Sequence, residues 1–340
     1  MFGLAWLRAR TDARGLLEHA RQGVPLWAEG YTTDDNARAL LYLALLPEGA
    51  RDEGLLQTYL AFLLYMQKED GRFRNGLTPD GRFEDEGEAE DPTGRAVLAL
   101  AALQSLPPAY AGPAREALLR ALPALEGFAS LRGRAYALLG LLALREEPFL
   151  EVAEALGEGL LRAFRGTEPD WPFPGDLTYA NHRPVEALHA YGLAFRRREA
   201  LALAQRALAF LKERYFTPGE GGLFFDPVGN RFMARGQEKP LFDQQPIEAK
   251  CALLAHLRFG ERALAETAFL WFHGRNRLQV PLVDAFGPMD GLTPKGPNPN
   301  RGAEALLSYL LSWQALAQGV FPRVEEGQAL GRVFALGGRP

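Results

Sequence analysis

Apolar residues follow a helical pattern along almost the whole chain, whereas strand-like alternation is scarce. Leu- and Ala-rich runs recur and usually stop at Gly or Pro, the two residues that helix interiors tolerate least. The pattern predicts twelve helices, with ends placed to within about 2–4 residues. They lie near residues 2–20, 36–46, 52–67, 92–105, 113–128, 131–145, 148–165, 181–195, 197–214, 246–258, 260–272 and 301–318.

The helices fall into two alternating kinds. Every second helix from 36–46 onward is apolar almost all round, as in AVLALAAL (96–103) and YALLGLLAL (136–144), which predicts burial on all sides. The helices between them, such as 199–214, carry charges on one face and are typical of an outer layer. Six such outer–inner pairs predict an all-α (α/α)6 toroid over residues 1–320, with a tail at 321–340 packed on it. An open α-solenoid has the same alternation and is the alternative.

The connections are unequal in length. Those from an inner to an outer helix are short, whereas those from an outer to an inner helix are mostly long: 68–91, 166–180, 215–245 and 273–300. In a ring, all the long connections emerge on one rim, and loops of this length are usually functional. A Gly229-Asn230 turn within 221–235 predicts a small β-hairpin on the same rim.

This rim is rich in carboxylates, amides and aromatic residues, which are the groups that hold sugar hydroxyls and cover pyranose rings. We therefore expect a carbohydrate there. The residues expected to bind it are Trp27, Tyr31, Asn36, Arg38, Trp171, Tyr179, Asn181, Arg183, Asp243, Gln244, Gln245, Glu248, Asp284, Phe286, Asp290, Asn300 and Glu304.

Glycosidic bond cleavage requires two opposed carboxyl groups, one protonated and one ionised. Asp35 is the first choice for the base or nucleophile, with Asp34 orienting it, although either could instead cap the helix at 36–46. Glu90, Asp91 and Asp176 are expected as general acids, with Asp243 and Glu304 behind them. The acidic run 84–91 has an ordinary alternative, a solvated loop.

Several charged or titratable residues lie within predicted inner helices. Glu186, Glu248 and Glu304 either pair with nearby arginines or line the cavity, where burial would raise a carboxyl pKa and favour a general acid. His182 and His189 are seven residues apart and share a helix face, so they are either core residues or a proton-transfer pair. His19, His256 and His273 are expected to be structural.

Composition excludes several classes of protein. A net charge of −4 gives no electrostatic basis for nucleic-acid binding, and the lone Cys251 rules out an internal disulfide or a cysteine-based zinc site. No apolar run could span a membrane, and the N-terminus does not resemble a secretion signal, so a cytoplasmic protein is expected. The sequence predicts no cofactor and no metal. Its Arg-rich, Lys-poor composition fits a GC-rich genome, as in some thermophiles.

Five segments resemble a family of uncharacterised six-hairpin glycosidase-like proteins, often encoded beside or fused to group 1 glycosyltransferases. The segments are GYTTDDNARAL (30–40), EAEDPTGRAVLAL (88–100), LTYANHRPVEAL (177–188), FDQQPIEA (242–249) and DGLTPKGPNPNRGAEALLSYLL (290–311). The resemblance implies a toroid that acts on or binds a glycan, with a glycosyltransferase as a possible partner. Acids of the family pattern are missing at Pro174, Gly175 and Ala180, where Asp176 could substitute.

Three functions are therefore open. The first is a glycoside hydrolase that acts on a short oligosaccharide through paired carboxylates. The second is a sugar epimerase or isomerase that uses His182 or His189. The third, favoured by the missing acids, is a non-catalytic glycan-binding partner of a glycosyltransferase.

Overall fold

A computed structural model of the chain describes residues 2–84, 90–319 and 326–327. Twelve α-helices lie within these ranges, and they alternate between an outer and an inner layer. The outer helices are α1 (Phe2–Arg8), α3 (Glu53–Met66), α5 (Pro108–Leu125), α7 (Phe149–Arg165), α9 (Arg198–Tyr215) and α11 (Arg262–Leu270). The inner helices are α2 (Thr33–Ala44), α4 (Glu90–Ala102), α6 (Leu131–Leu142), α8 (His182–Ala194), α10 (Pro246–Arg258) and α12 (Ala303–Gln318).

The inner helices form a closed ring. Each packs against the next from α2 to α12, and α12 packs against α2. An open solenoid would keep its first and last repeats apart, because each repeat then contacts only its neighbours. The chain is therefore an (α/α)6 toroid, as the alternation of helices predicts.

Close packing inside the ring depends on glycine at the crossing of α4 and α6. A Cβ at Gly140 would lie 2.8 Å from the Leu98 Cα, and one at Gly94 would lie 2.5 Å from the Gly133 carbonyl oxygen. Any larger residue would push the two helices apart. The outer helix α7 shows the other pattern, since its buried residues, such as Leu156 and Leu160, recur at helical spacing on one face.

Ten short strands lie in the connections of the described chain, paired in five antiparallel hairpins or ladders. The pairs are β1 (Ala20–Arg21) with β2 (Val24–Pro25), β3 (Tyr31–Thr32) with β4 (Gly76–Leu77), β5 (Phe216–Gly219) with β6 (Gly222–Phe225), β7 (Val283–Asp284) with β8 (Gly287–Pro288), and β9 (Leu292–Thr293) with β10 (Gly296–Pro297).

Two local predictions are wrong. The hairpin lies at β5–β6, where Gly221 takes a positive φ of 85° in the turn, and not around Gly229-Asn230. The first helix ends at Arg8 and does not continue to residue 20. Asp12 explains this end, because its side chain accepts hydrogen bonds from the backbone N–H groups of Arg14 and Gly15 and so forms a turn.

The predicted tail at 321–340 lies outside the described residues except for Glu326 and Gly327. The Gly327 N–H donates to the Leu193 carbonyl oxygen at 2.7 Å, at the end of α8. Of the helices that the structure describes, none combines the length and apolarity needed to cross a membrane.

Candidate active site

A cavity of about 350 Å³, here called the upper cavity, lies where α2, α10 and α12 begin. Its lining combines carboxylates with amides and one histidine. The lining residues are Glu18, His19, Thr32, Asp34, Asp35, Arg38, Asn75, Gln245, Pro246, Asp290, Asn298, Gly302, Glu304 and Ala305. The starts of inner helices therefore carry the site, because the rim with the longer loops is the rim where those helices begin.

Local sequence determines how α2 enters the cavity. Thr32 caps the helix, since its hydroxyl oxygen accepts a hydrogen bond from the Asp35 N–H at 3.2 Å. The same hydroxyl donates to the Asp35 carboxylate at 3.0 Å. Asp34 and Asp35 thus occupy the first turn, where the partial positive charge of a helix N-terminus favours carboxylates.

Two arginines one turn deeper hold these carboxylates. Arg38 donates to Asp35 at 2.6 Å and to Glu304 at 2.9 Å, so one guanidinium bridges α2 and α12. Arg95, on α4, donates to Asp34 at 2.6 Å. The Asp35 side chain is 5% exposed and the Asp34 side chain 22% exposed, so Asp34 is the more accessible of the two.

The two aspartates differ in their pKa. Burial opposes ionisation of Asp34, but the guanidinium groups of Arg95 and Arg38 outweigh it and hold the pKa of this carboxyl below its usual value. Burial raises the pKa of Asp35, and the charges of Glu304 and Asp34 act in the same direction. Asp34 is therefore the more readily ionised carboxyl of the adjacent pair.

Glu18 is the lining carboxyl residue that sequence reasoning missed, because it falls inside the wrongly predicted helix 2–20. The backbone anchors it, since its N–H donates to Gly30 and its carbonyl oxygen accepts from Ala303 at 2.8 Å. Burial, and then the charge of Asp35, raise the pKa of Glu18 to about 7. A turn-forming Asp12 and the glycines at 15 and 23 were the signals that could have interrupted the helix prediction.

Asp290 holds one wall of the upper cavity in place. Its carboxylate accepts hydrogen bonds from the Asn300 side chain and the Gly302 N–H, which fixes the chain just before α12. Asn300 also contacts His19 Nδ1 at 2.8 Å. His19, expected to be structural, therefore lies on the cavity wall.

Six of the predicted site residues line the upper cavity, and the others lie elsewhere. The six are Asp34, Asp35, Arg38, Gln245, Asp290 and Glu304. Together with Glu18 they come from the part of the rim that runs from the start of α10 through α12 to α2, here called the open side.

On the opposite part of the rim, here called the closed side, the starts of α4, α6, α8 and α10 are bonded directly to one another. Glu90 accepts from the backbone N–H groups of Ala129 and Ser130, the latter at 2.5 Å. Asp91 accepts from the Ser130 hydroxyl at 2.7 Å and the Tyr179 hydroxyl at 2.5 Å. These contacts join helix starts, and neither acid lines the upper cavity.

Glu248 also joins the closed side, because its buried carboxyl accepts the Ala180 N–H at the turn before α8. Burial raises the pKa of Glu248 to about 7. Arg183 donates to Glu186 at 2.6 Å, the structural pairing that the sequence left open for that glutamate. Glu304 pairs with Arg38 and also lines the cavity, so both alternatives hold for it.

Three predicted amides hold the fold. Asn36 bonds the backbone of Leu16, and Asn181 donates to the Tyr215 hydroxyl at 2.8 Å. Gln244 donates to Asp226 at 2.8 Å and accepts from the Trp271 indole at 2.9 Å. All three are buried.

The predicted aromatic and remaining acidic residues are also divided. Tyr31 and Trp171 lie in the core, whereas Trp27 and Phe286 are 60% and 50% exposed. Asp176 and Asp243 are exposed and do not line the upper cavity. Asp284 lies outside it as well and accepts from Arg301 at 2.6 Å.

The two histidines of the epimerase alternative lie away from the upper cavity. His182 is fully buried against Tyr215 and His256, and burial lowers its pKa well below the usual value. His189 packs on Phe259 with ring centroids 4.0 Å apart, and burial lowers its pKa to about 4. Both are core residues in this structure.

A second cavity of about 40 Å³, here called the lower cavity, lies deeper among the inner helices and shares Arg38 with the first. Five cations line it. Four of them, Arg38, Arg95, Arg183 and Lys250, are here called the basic layer, and the fifth, Arg258, pairs with Glu186, which also lines the cavity. Leu41, Leu98 and Leu254 follow Arg38, Arg95 and Lys250 by three or four residues on the same helices. This spacing puts each of these leucines about one turn below its cation on the same face. With Leu139 of α6 and Leu311 of α12, which also line the cavity, they are here called the leucine layer.

Within the described ranges, no group of three or more His, Cys, Asp and Glu side chains is arranged to hold a metal ion. The upper cavity itself offers carboxyl groups, one imidazole and amides.

No family model and no curated protein matches the chain. Solved structures do match over nearly its full length. A D-mannose isomerase is 11% identical, with 94% of this chain and 96% of that chain covered and a TM-score of 0.68. The cellobiose 2-epimerase of Spirochaeta thermophila is 16% identical, with 93% and 92% covered and a TM-score of 0.66. The GH76A α-1,6-mannanase of Salegentibacter sp. HEL1_6 is 14% identical, with 93% and 98% covered and a TM-score of 0.59. At these identities the likeness shows a shared (α/α)6 fold.

Proposed function

We propose that the chain is a carbohydrate-active enzyme that cleaves a glycosidic bond of a short oligosaccharide in the upper cavity. One observation carries the proposal: Asp34 and Glu18 line the same cavity, and their pKa values are displaced in opposite directions. Two carboxyls whose environments separate their pKa values are suited to act as a base and an acid.

In this proposal Glu18 is the general acid and protonates the leaving-group oxygen. Asp34 is the ionised carboxylate, which either activates a water molecule or attacks the anomeric carbon. Asp35 is a positioning residue, because its side chain is nearly buried between Thr32 and Arg38. These roles exchange the two aspartates relative to the sequence-based expectation. Gln245, Asn298 and Glu304 are placed to hold sugar hydroxyls.

Sugar epimerisation or isomerisation is the second candidate, because His19 lies on the cavity wall beside Glu18. An imidazole can move a proton at a sugar carbon near neutral pH. Two of the structures that the chain matches are an isomerase and an epimerase, which adds support for this candidate. The proton carrier would then be His19 and neither His182 nor His189.

The test is a screen of neutral oligosaccharides and free sugars in heavy water, with and without phosphate. New reducing ends support hydrolysis, and a sugar phosphate indicates phosphorolysis. A sugar that keeps its length but gains deuterium bound to carbon supports epimerisation. Oligosaccharide that binds in a calorimeter and stays intact would reject both catalytic proposals and leave the glycan-binding partner of a glycosyltransferase. The anomer released first, observed by NMR, distinguishes retention from inversion.

A further inference from the structure

The three arginines of the basic layer use only part of their hydrogen-bonding capacity. Their terminal nitrogens pair with Asp35 and Glu304, with Asp34, and with Glu186. The Nε atoms of Arg38, Arg95 and Arg183 are buried and have no hydrogen-bond partner within the described chain. A buried N–H without an acceptor costs about 1–3 kcal/mol, and here three such groups belong to residues around one cavity.

Lys250 adds a fourth donor to the same cavity. It is 2% exposed, and its Nζ forms neither a hydrogen bond nor an ion pair with a described residue. Burial, and then the charges of Arg38 and Arg183, lower the pKa of Lys250 to about 7, although Cys251 and Glu304 act in the opposite direction. An acceptor bearing negative charge at this point would favour the protonated amine.

The ion pairs of the basic layer leave Lys250 without a partner. Arg38 pairs with Asp35 and Glu304, Arg95 with Asp34, and Arg183 with Glu186. The leucine layer below provides no counter-charge. A buried cation is stable only when a partner compensates it, so a protonated Lys250 lacks a negative partner among the described residues.

We propose that the lower cavity is a binding site for a small inorganic monovalent anion of the chloride type, held by the basic layer. The volume of about 40 Å³ fits this class. One water molecule needs about 10–15 Å³ measured in the same way, so a halide fits and a sugar or a phosphate ester does not. The site is separate from the carboxyl groups that act on the sugar, and the proposal holds whichever reaction the upper cavity performs.

Crystals of the unaltered protein grown in sodium bromide test the site directly. We expect an anomalous bromide peak within about 3.5 Å of Lys250 Nζ and of at least one arginine Nε. Density for ordered water alone at this position, with bromide found only on the surface, would overturn the proposal. This arm needs no variant and therefore does not depend on whether a substituted chain folds.

Thermal unfolding of the chain supplies the second arm. Sodium bromide is compared with sodium gluconate at equal ionic strength, because gluconate is too large for the cavity and screens surface charges equally. At bromide concentrations about ten times the dissociation constant, Tm should rise by about 2 °C.

Lys250→Met keeps an unbranched side chain, one atom shorter, and removes its charge, so the bromide-specific rise in Tm should disappear. Lys212→Met, at an exposed position on α9, is the matched control and should retain the rise. An equal rise in the Lys250 variant and the control would show that bromide acts elsewhere and would overturn the proposal.

Discussion

The open and closed sides of the rim contain the same kinds of residue and use them differently. On the closed side, Glu90, Asp91 and Tyr179 join the starts of neighbouring helices. On the open side, Asp34, Glu304 and Glu18 face the upper cavity. We therefore expect an acidic or aromatic residue on this rim to be functional only where it faces the upper cavity.

Backbone geometry explains why one side closes. Gly94 and Gly133 lie at the contact between α4 and α6, where an added Cβ would meet the neighbouring helix at 2.5 Å and 2.8 Å. On the open side, the chain between α1 and α2 is inserted instead. Its backbone bonds α12 through Glu18 and Ala303, and it brings Glu18 to the cavity.

The largest expected difference between the sides is in catalysis. Asp34→Asn and Glu18→Gln should each lower kcat about 10²–10⁴-fold, because each removes a group that transfers a proton or attacks in the transition state. Asp91→Asn, on the closed side, and Asp176→Asn, at an exposed position, should keep kcat within a few-fold of the unaltered enzyme. Steady-state kinetics on the substrate found in the screen measure all four.

The pH profile sharpens this prediction. A general acid works only while protonated, so activity should fall as pH rises through about 7, where Glu18 loses its proton. The pH profile of the Glu18→Gln variant should lack this fall in activity. A larger loss of kcat in Asp35→Asn than in Asp34→Asn would return the reacting role to Asp35, and an Asp91→Asn enzyme as inactive as Asp34→Asn would end the distinction between the sides.

The free energy of unfolding, unlike kcat, should depend more on the closed side than on the open side. Asp91→Ala leaves the part-buried hydroxyls of Ser130 and Tyr179 without their acceptor and should lower the free energy of unfolding by about 1–3 kcal/mol. Glu18→Ala should lower it less, because the Glu18 carboxyl lines the upper cavity and its nearest cationic partner, His19 Nε2, is 3.7 Å away. Denaturant unfolding measures both. A loss confined to the Glu18 variant would contradict the structural role of the closed side.

Glu248 gives the closed side a pH dependence. Burial raises its pKa from the ordinary 4.5 to about 7, so the folded chain binds this proton more tightly than the unfolded chain. Its contribution to stability is complete below about pH 4.5 and is lost as pH rises through 7. Between pH 5 and 8 the free energy of unfolding of the unaltered protein should fall by about 1–3 kcal/mol more than that of the Glu248→Gln variant. Parallel curves of unfolding free energy against pH would contradict this.

The smallest effect should come from the exposed aromatic residues at Trp27 and Phe286. Neither lines the upper cavity, so Trp27→Ala and Phe286→Ala should leave kcat unchanged and raise KM about 3–10-fold, and only for longer oligosaccharides, since stacking on an exposed ring contributes about 1 kcal/mol. Tyr65→Ala, another exposed aromatic change, is the control. Equal KM effects on a disaccharide and a tetrasaccharide would argue against an extended contact.

The ring could be predicted from the sequence because burial of a helix is encoded in its own residues. The all-apolar inner helices and the unequal loops gave the layer order and the functional rim, and α2 begins within three residues of its predicted start. Which rim residues face a cavity was not encoded in this way. Asp34 and Asp91 both precede an apolar helix, and only the distance to the next helix start separates their surroundings.

Glu18 shows a different limit. Its segment has helical composition, but Asp12 forms a turn, and tertiary contacts with α12 and Asn36 then determine the backbone. The proposed exchange of roles between Asp34 and Asp35 has a similar origin. Both follow Thr32, and only the positions of Arg38 and Arg95 on separate helices decide which carboxylate is enclosed.

The leucine layer limits the path that a bound sugar polymer could take along the axis of the ring. Leu98, Leu139 and Leu311 line the lower cavity, whose volume of about 40 Å³ is too small for a sugar ring. A glycan bound in the upper cavity as proposed would therefore not pass the leucine layer along the axis. Its products would leave through the opening by which the substrate entered, so free product would compete with the next substrate.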